Sequence, residues 1–275
     1  MKLYPSHLVL YQQCPLRYKF KYIDRLPEET TPELYLGSRL HDTLAAYFKL
    51  PAQERSLERL KELFRAQWAG RNLPSAARRR RLRERYEAFK GERDLERTYG
   101  LRGLEMLERF YKLPLLQVPP FRTEEFLELP LIIPGKTAVE WEFDEELILA
   151  GKVDRIDTRP DGTLRIIDYK TGQYVPEDEE TFRALDEAYI TLPIYALLVE
   201  HLYGKPVTQA SLFYLSTGQF LHFEFSPEEL QGTRERVIEI AREILTTAEF
   251  KPVINNFCPC GFQDQCPLDF DEVPF

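Results

Sequence analysis

The chain has 275 residues, 43% of them hydrophobic and 30% charged, with a formal net charge of -8. That length suits one large domain or a core carrying an inserted subdomain, and the composition is that of an ordinary globular protein. No run of about 18 apolar residues is present, so no helical membrane span is expected, and the acidic balance taken alone argues weakly against a nucleic-acid partner.

The stretch MKLYPSHLVLYQQCPLRYKF lacks the long apolar segment and small-residue cleavage site of a secretory signal, so a cytoplasmic protein is expected. Residues 6–24 are predicted as a helix capped by Ser6, with Leu8, Tyr11, Leu16 and Phe20 as its apolar stripe. After a Pro/Thr-rich turn, Gly37 to Leu50 form a second helix. Residues 54 to about 112 are rich in Arg, Glu and Leu and almost free of Val and Ile, which predicts helices interrupted near Asn72-Leu73-Pro74. This segment contains RRRRLRER at 78–85, opened by Arg78, Arg79, Arg80 and Arg81. Such a run either binds phosphates on a locally basic face or forms a solvated helix face balanced by Glu84, Glu87 and Glu92.

The character changes near residue 123. TEEFLELPLII and TAVEWEFDEELILAGKVDRIDTR carry alternating and β-branched residues and are predicted as strands; TLRIIDYKTG follows after Pro160-Asp161-Gly162. Residues 179–203 form a long amphipathic helix, and ASLFYLSTGQFLHFEF a hairpin turning at Thr217-Gly218. Ser226-Pro227-Glu228-Glu229 opens a last helix with a capping box, running to about Ala248.

The hairpin GKVDRIDTRPDGTLRIIDYKTG carries the chemistry. Residues two apart on a strand share a face, so Asp168 and Lys170 point the same way. A three-residue loop closed by a left-handed Gly162 pairs Arg159 with Thr163, which sets Asp154 opposite Asp168. Two carboxylates this close repel unless a cation or proton lies between them. Mg²⁺ and Mn²⁺ favour such oxygen ligands and would activate a water for phosphodiester hydrolysis. Lys170 would orient that water, or act as a general acid/base if its pKa is lowered. Four cysteines, Cys14, Cys258, Cys260 and Cys266, include three within nine residues, a pattern that suggests metal binding more than disulfides in a reducing compartment. No phosphate-loop pattern of a motor is present.

GKVDRID followed by IIDYKTG resembles the PD-(D/E)xK nuclease superfamily, in its RecB-like branch. YQQCPLRYKFKYI resembles that branch's N-terminal helix, GSRLHDTL its Gly-x-x-x-His motif, and LPIYALLVEHLYG the helix of its Gln-x-x-x-Tyr motif. The terminal cysteines resemble the iron–sulfur staple of AddB and of CRISPR-associated RecB-like exonucleases. The resemblance covers residues 6–48 and 138–266. It implies an α/β, restriction-endonuclease-like fold: a mixed β-sheet core flanked by helices, with a helical insertion. Residues 1–49 and 123–275 would form the nuclease core and 50–122 the insertion, bordering a groove that the arginine run faces.

The resemblance further implies His41, Asp154, Asp168 and the Tyr169 carbonyl as ligands of Mg²⁺ or Mn²⁺, with Asp154, Asp168 and Lys170 catalytic. Tyr195 would contact DNA or support the site, and Thr191 stands where the motif has Gln, which affects DNA positioning more than chemistry. Cys14, Cys258, Cys260 and Cys266 would hold a [4Fe–4S] cluster, with a four-thiolate zinc site as the rival. Cys258-Pro259-Cys260 departs from the usual C-x-x-C spacing. The implied activity is a DNA nuclease, an exonuclease on single-stranded ends in repair, recombination or CRISPR adaptation, working beside a helicase or integrase. The alternative is an inactive nuclease-fold protein that binds DNA or organises an assembly.

Overall fold

The structure, a computed structural model, describes residues 2–71, 73–131, 147–173, 175–185, 190–255, 258 and 260–268. A six-stranded mixed sheet is organised around β3 (Leu147–Thr158). One edge of β3 pairs antiparallel with β2 (Arg122–Leu131). Its other edge is shared: β1 (Lys2–Leu3) runs parallel beside Ile148 and Leu149, while β4 (Leu164–Lys170) runs antiparallel beside residues 155–158. β4 then pairs parallel with β5 (Val207–Tyr214), and β6 (Gln219–Glu224) closes the sheet antiparallel. The parallel β4–β5 step needs a crossover, which is supplied by α7 (Glu179–Leu185) and α8 (Thr191–Tyr203).

Helices cover both faces. On one, α1 (Pro5–Gln13), α8 and α9 (Pro227–Thr246) bury Leu8, Ile194 and Ile240 against Ile156 and Ile166. On the other, α3 (Pro32–Phe48), α4 (Leu57–Ala69) and α6 (Arg93–Tyr111) bury Leu40, Phe64 and Phe110 against Ile167, Tyr169 and Phe213. Consecutive residues Ile166 and Ile167 thus serve opposite layers, as the pleat requires. α5 (Ser75–Phe89) packs Ala88 and Phe89 on Tyr35 of α3. The helices expected as an insertion therefore build much of the second helical layer.

Fully buried Arg155 joins that layer to the sheet. It donates to Asp157 at 2.7 Å and to the carbonyls of Leu115 and Val118, and it lies over the Phe48 ring. The segment after α6 is thereby fastened beneath β3.

Several boundaries differ from expectation. The first helix is not continuous: Cys14 is extended at φ -161, and α2 (Pro15–Tyr18) restarts the chain and passes into a π-helical turn, Lys19–Ile23. Proline disfavours helical backbone in the residue before it, which breaks the helix at Cys14. Ser6 is not the cap; Pro5 occupies the first turn, Tyr4 precedes it, and the Ser6 hydroxyl accepts from Tyr22. α3 starts earlier than Gly37, at Pro32, because Thr31 caps the Leu34 N–H. The helix expected over 179–203 does not run straight into α8, since Ile190 sits at φ -127, ψ -14. Residues 186–189, and residues 137–146 of the expected second strand, lie outside the described residues. The Thr217-Gly218 turn, with Gly218 at φ 78, and the Ser226/Glu229 capping box form as expected.

Candidate metal centre

The β3–β4 hairpin has the anticipated register. Arg159 N–H donates to the Thr163 carbonyl, Gly162 sits at φ 86, and Arg155 pairs with Ile167. One step further sets Asp154 opposite Asp168. There the strands part, and the Asp154 carboxylate takes over the ladder by accepting the Tyr169 N–H at 2.9 Å. Beyond this point β4 belongs to β5, so the split opens a notch at the edge of the hairpin.

α3 brings His41 to the notch. A Cβ on Gly37 would meet Thr171 Oγ1 at 3.1 Å, so the helix lies against the end of β4 there. One turn on, His41 Nδ1 is 3.0 Å from Asp154 Oδ1. From the opposite layer, α8 presents Tyr195, whose ring crosses Gly151; a Cβ there would meet Tyr195 and Leu198 at 2.9 Å. Burial raises the Tyr195 hydroxyl pKa, and the nearby Asp168 and Asp154 carboxylates raise it further. Thr191 opens α8 on the same face, partly exposed.

The sequence reading missed Glu124. Its carboxylate joins His41 and Asp154 in a set whose ligand atoms all lie within 4.8 Å of one another. Glu124 takes left-handed backbone at φ 53, unusual for a residue with a Cβ. That twist turns its side chain inward, while neighbouring Glu125 accepts from Tyr203. One Glu124 oxygen is buried with no hydrogen-bond partner, and the other pairs with Lys152. The only sequence signal was two adjacent glutamates in an alternating strand.

Each carboxylate has its own cation: His41 for Asp154, Lys152 for Glu124, and Lys170 for Asp168 at 2.8 Å. Burial opposes the His41 imidazolium, but Asp154, with Asp168 and Glu124, outweighs it and pushes the pKa up to about 9. Burial raises the pKa of Asp168, and Asp154 adds to this against the pull of Lys170. Burial also raises Glu124. Lys170 is raised, chiefly by the Asp168 carboxylate. The raised value favours the charged ammonium, the form that would orient a water.

The donors suit a hard divalent ion. His41 Nδ1 and Asp154 Oδ1 are spaced like neighbouring ligands of an octahedral ion with bonds of about 2.1 Å. The buried, unpartnered Glu124 oxygen is an acceptor that a cation would satisfy.

The arginine run is divided. Arg78, Arg79 and Arg80 are exposed on α5. Arg81 is buried and spent on the Gln67 carbonyl and Asp42, so it does not face a groove. All four cysteines are free and line one cavity of about 20 Å³ between the α1–α2 break and the C-terminal segment. Thiolates on one zinc ion, with bonds of about 2.3 Å, stand about 3.8 Å apart. Among the described residues no three of these sulfurs lie within 4.8 Å of one another, so the thiols share a cavity without converging on one point.

A family model for the PD-(D/E)XK nuclease superfamily matches residues 2–267. The chain belongs to that superfamily. The Gene 69 protein of Mycobacterium phage D29 is 26% identical over 219 residues, 76% of this chain and 73% of that one. A subunit of the ATP-dependent helicase/deoxyribonuclease of Carboxydothermus hydrogenoformans is 29% identical over 226 residues, again 76% of this chain. The match spans only 20% of that relative's length. The crystal structure of SSO0001 aligns over 97% of this chain and 85% of that one, with TM-score 0.43 and 15% identity. The mixed sheet flanked by helices is the α/β fold expected of the superfamily. No helix among the described residues is long and apolar enough to cross a membrane.

Proposed function

We propose that the protein is a divalent-metal-dependent deoxyribonuclease acting on single-stranded DNA ends. The observation that carries this reading is the meeting of His41, Glu124 and Asp154 beside the Asp168–Lys170 pair at the split between β3 and β4. Mg²⁺ or Mn²⁺ would be held by His41, Asp154, Asp168 and the Tyr169 carbonyl, with Glu124 added to the set. In extended backbone a residue's N–H and C=O point to the same edge, so the Tyr169 carbonyl lies on the Asp154 side with its N–H. When bound, the ion would supply charge to the scissile phosphate and acidify a water. Lys170, kept cationic by Asp168, orients that water and stabilises developing negative charge. The Tyr195 hydroxyl, with Thr191 beside it, would position the strand over the carboxylates.

On the resemblance of their spacing, the four thiols that line one cavity would close around a [4Fe–4S] cluster tying α1 and α2 to the C-terminal segment. Stoichiometric iron in anaerobically purified protein is the expected result, and colourless protein with one zinc would replace it. We also read residues 1–49 and 123–275 as the nuclease core and 50–122 as its helical insertion. Work beside a helicase is supported by the name of the matched helicase/deoxyribonuclease relative. Repair, recombination or CRISPR adaptation would all use such an enzyme.

The test is cleavage of end-labelled and circular single-stranded DNA with Mg²⁺ or Mn²⁺. Degradation of the linear substrate, lost in Lys170→Ala, is expected. Full activity in that variant would contradict the assignment, and DNA binding without cleavage by any ion would make the protein a binding or assembly component.

A further inference from the structure

We propose that a nucleic-acid strand leaves the carboxylate centre along α6, held by arginines in three connected cavities. This rests on the nuclease reading and adds the path of the substrate.

The first cavity, of about 240 Å³, begins at Thr171 and Gly172, directly after Lys170, and is walled by Leu36 and Arg102. A second, of about 530 Å³, shares Arg102 and Gln173 with it and adds Arg109. A third, of about 550 Å³, meets the second at Leu101 and is lined by Arg65, Arg71, Arg85, Arg93 and Arg97 around Trp68. Arg93, Arg97 and Leu101 recur every four residues, forming one stripe of α6; Arg102 and Arg109, seven apart, form the next. The two stripes meet at Leu101 and line the cavities that begin at the end of β4.

The charge on this track is unmatched. Arg85 pairs with Glu96 at 3.6 Å. Arg65, Arg71, Arg93, Arg97, Arg102 and Arg109 make no ion pair among the described residues. Of the acids on the walls, Glu96 is taken by Arg85 and also accepts from the Trp68 indole N–H, while Glu33, which accepts from Tyr99 and lies near Arg102, and Glu105 keep their charge. Six unpaired guanidinium groups against so few carboxylates suit a phosphate backbone, which gains affinity by releasing counterions to such a surface. Leu101, 51% exposed where two cavities meet, and the partly exposed Trp68 offer apolar surface to bases. Unstacked bases can use that surface, whereas a duplex keeps its bases inside. None of Arg78, Arg79 and Arg80 lines these cavities.

From Arg102, where the track begins, to Arg93 the helix rises about 14 Å, which adds about four nucleotides, at a rise of 3.4 Å, to those held at the centre. The track therefore makes affinity depend on strand length. The experiment measures binding of single-stranded oligonucleotides of about 4 and about 12 nucleotides to the full chain carrying Lys170→Ala, by fluorescence anisotropy over a salt series. Cleavage by the wild type is assayed in parallel. Arg93→Ala with Arg97→Ala should weaken the longer oligonucleotide about tenfold and reduce the salt slope by about 1.4, the loss of two phosphate contacts. Its affinity should no longer grow with length. Arg65→Ala with Arg71→Ala, on the facing wall, should do the same and guards against a folding defect in one pair. Arg79→Ala with Arg80→Ala is the charge-matched control.

If the parent binds and the wild type cleaves while both groove pairs behave like the control, the path is wrong and the nuclease reading stands. If the wild type neither cleaves nor binds, the nuclease reading itself fails. If the groove pairs lose binding to poly-glutamate but keep oligonucleotide binding, the path is overturned in favour of an acidic protein partner.

Discussion

In the carboxylate centre every donor comes from a regular element: His41 from α3, Glu124 from β2, Asp154 from β3, Asp168 and Lys170 from β4. In the cysteine cavity Cys14 sits at a helix break, and the other three lie in a terminal segment whose described structure includes only the short turn Gln263–Gln265. The carboxylates are drawn in by register and each is matched by its own cation. The thiols make only long, weak contacts, such as Cys14 Sγ with the Arg17 N–H at 3.5 Å. Backbone pairing and internal charge can therefore gather carboxylates and a histidine with no ion present, whereas donors on irregular chain would depend on a bound group to bring them together.

The largest expected effect lies in the carboxylate centre. Asp154→Asn keeps the shape and removes the charge that holds His41 and would hold the ion. Cleavage should fall about 10²–10³-fold, and the rise in melting temperature on adding Mn²⁺ should vanish. A variant that still melts higher with Mn²⁺ would break the comparison, because the ion would then be held elsewhere.

The cysteine cavity should affect stability rather than turnover. Cys14 is 244 positions from Cys258, and a cluster joining them closes a very long loop. Cys14→Ser should cost about 5.5 kcal/mol by the loop-closure argument and bleach the iron absorbance, while Mn²⁺ binding persists. An unchanged denaturation midpoint would show that the cavity ties nothing together.

Gly151→Ala probes the boundary of the metal centre. The added methyl meets Tyr195 and Leu198 at 2.9 Å, an overpacking cost of about 1–3 kcal/mol. Because Tyr195 must move, substrate binding should weaken more than Mn²⁺ binding does. Equal losses in both would mean that Tyr195 does not position the strand.

The smallest effect lies near the cysteine side. Burial, with Lys21 adding to it, lowers the His7 pKa to about 4. The native state thus binds fewer protons than the unfolded chain, whose histidine titrates near 6.5. The stability contribution is complete above about 6.5 and is lost as pH falls through about 4. His7→Phe should flatten the stability profile in that window, measured by denaturation from pH 4 to 7. An unchanged slope would remove His7 from the account.

The site was legible in sequence where local geometry dictates position. A three-residue loop with Gly162 in left-handed backbone fixes the register, and register alone sets Asp154 across from Asp168. Spacing on a strand put Lys170 on the face of Asp168. His41 came only from resemblance, since nothing local to α3 says which strand it approaches. Glu124 was missed because its positive φ breaks the alternation that assigns faces in β2. Arg81 was misread as facing the groove with its neighbours, because a run of arginines shows no sign of which member turns inward; this one faces Asp42 and the Gln67 carbonyl. The break at Cys14 was readable from Pro15, but the apolar stripe across it suggested one helix.

The central claim is that His41, Glu124, Asp154 and Asp168 form a divalent-ion site beside Lys170. Anomalous scattering from a crystal grown with Mn²⁺ tests it most directly. The account predicts one strong peak between His41, Glu124 and Asp154, within reach of Asp168, and its loss in Asp154→Asn. A crystal with no peak there, or with manganese only at other residues, would contradict it.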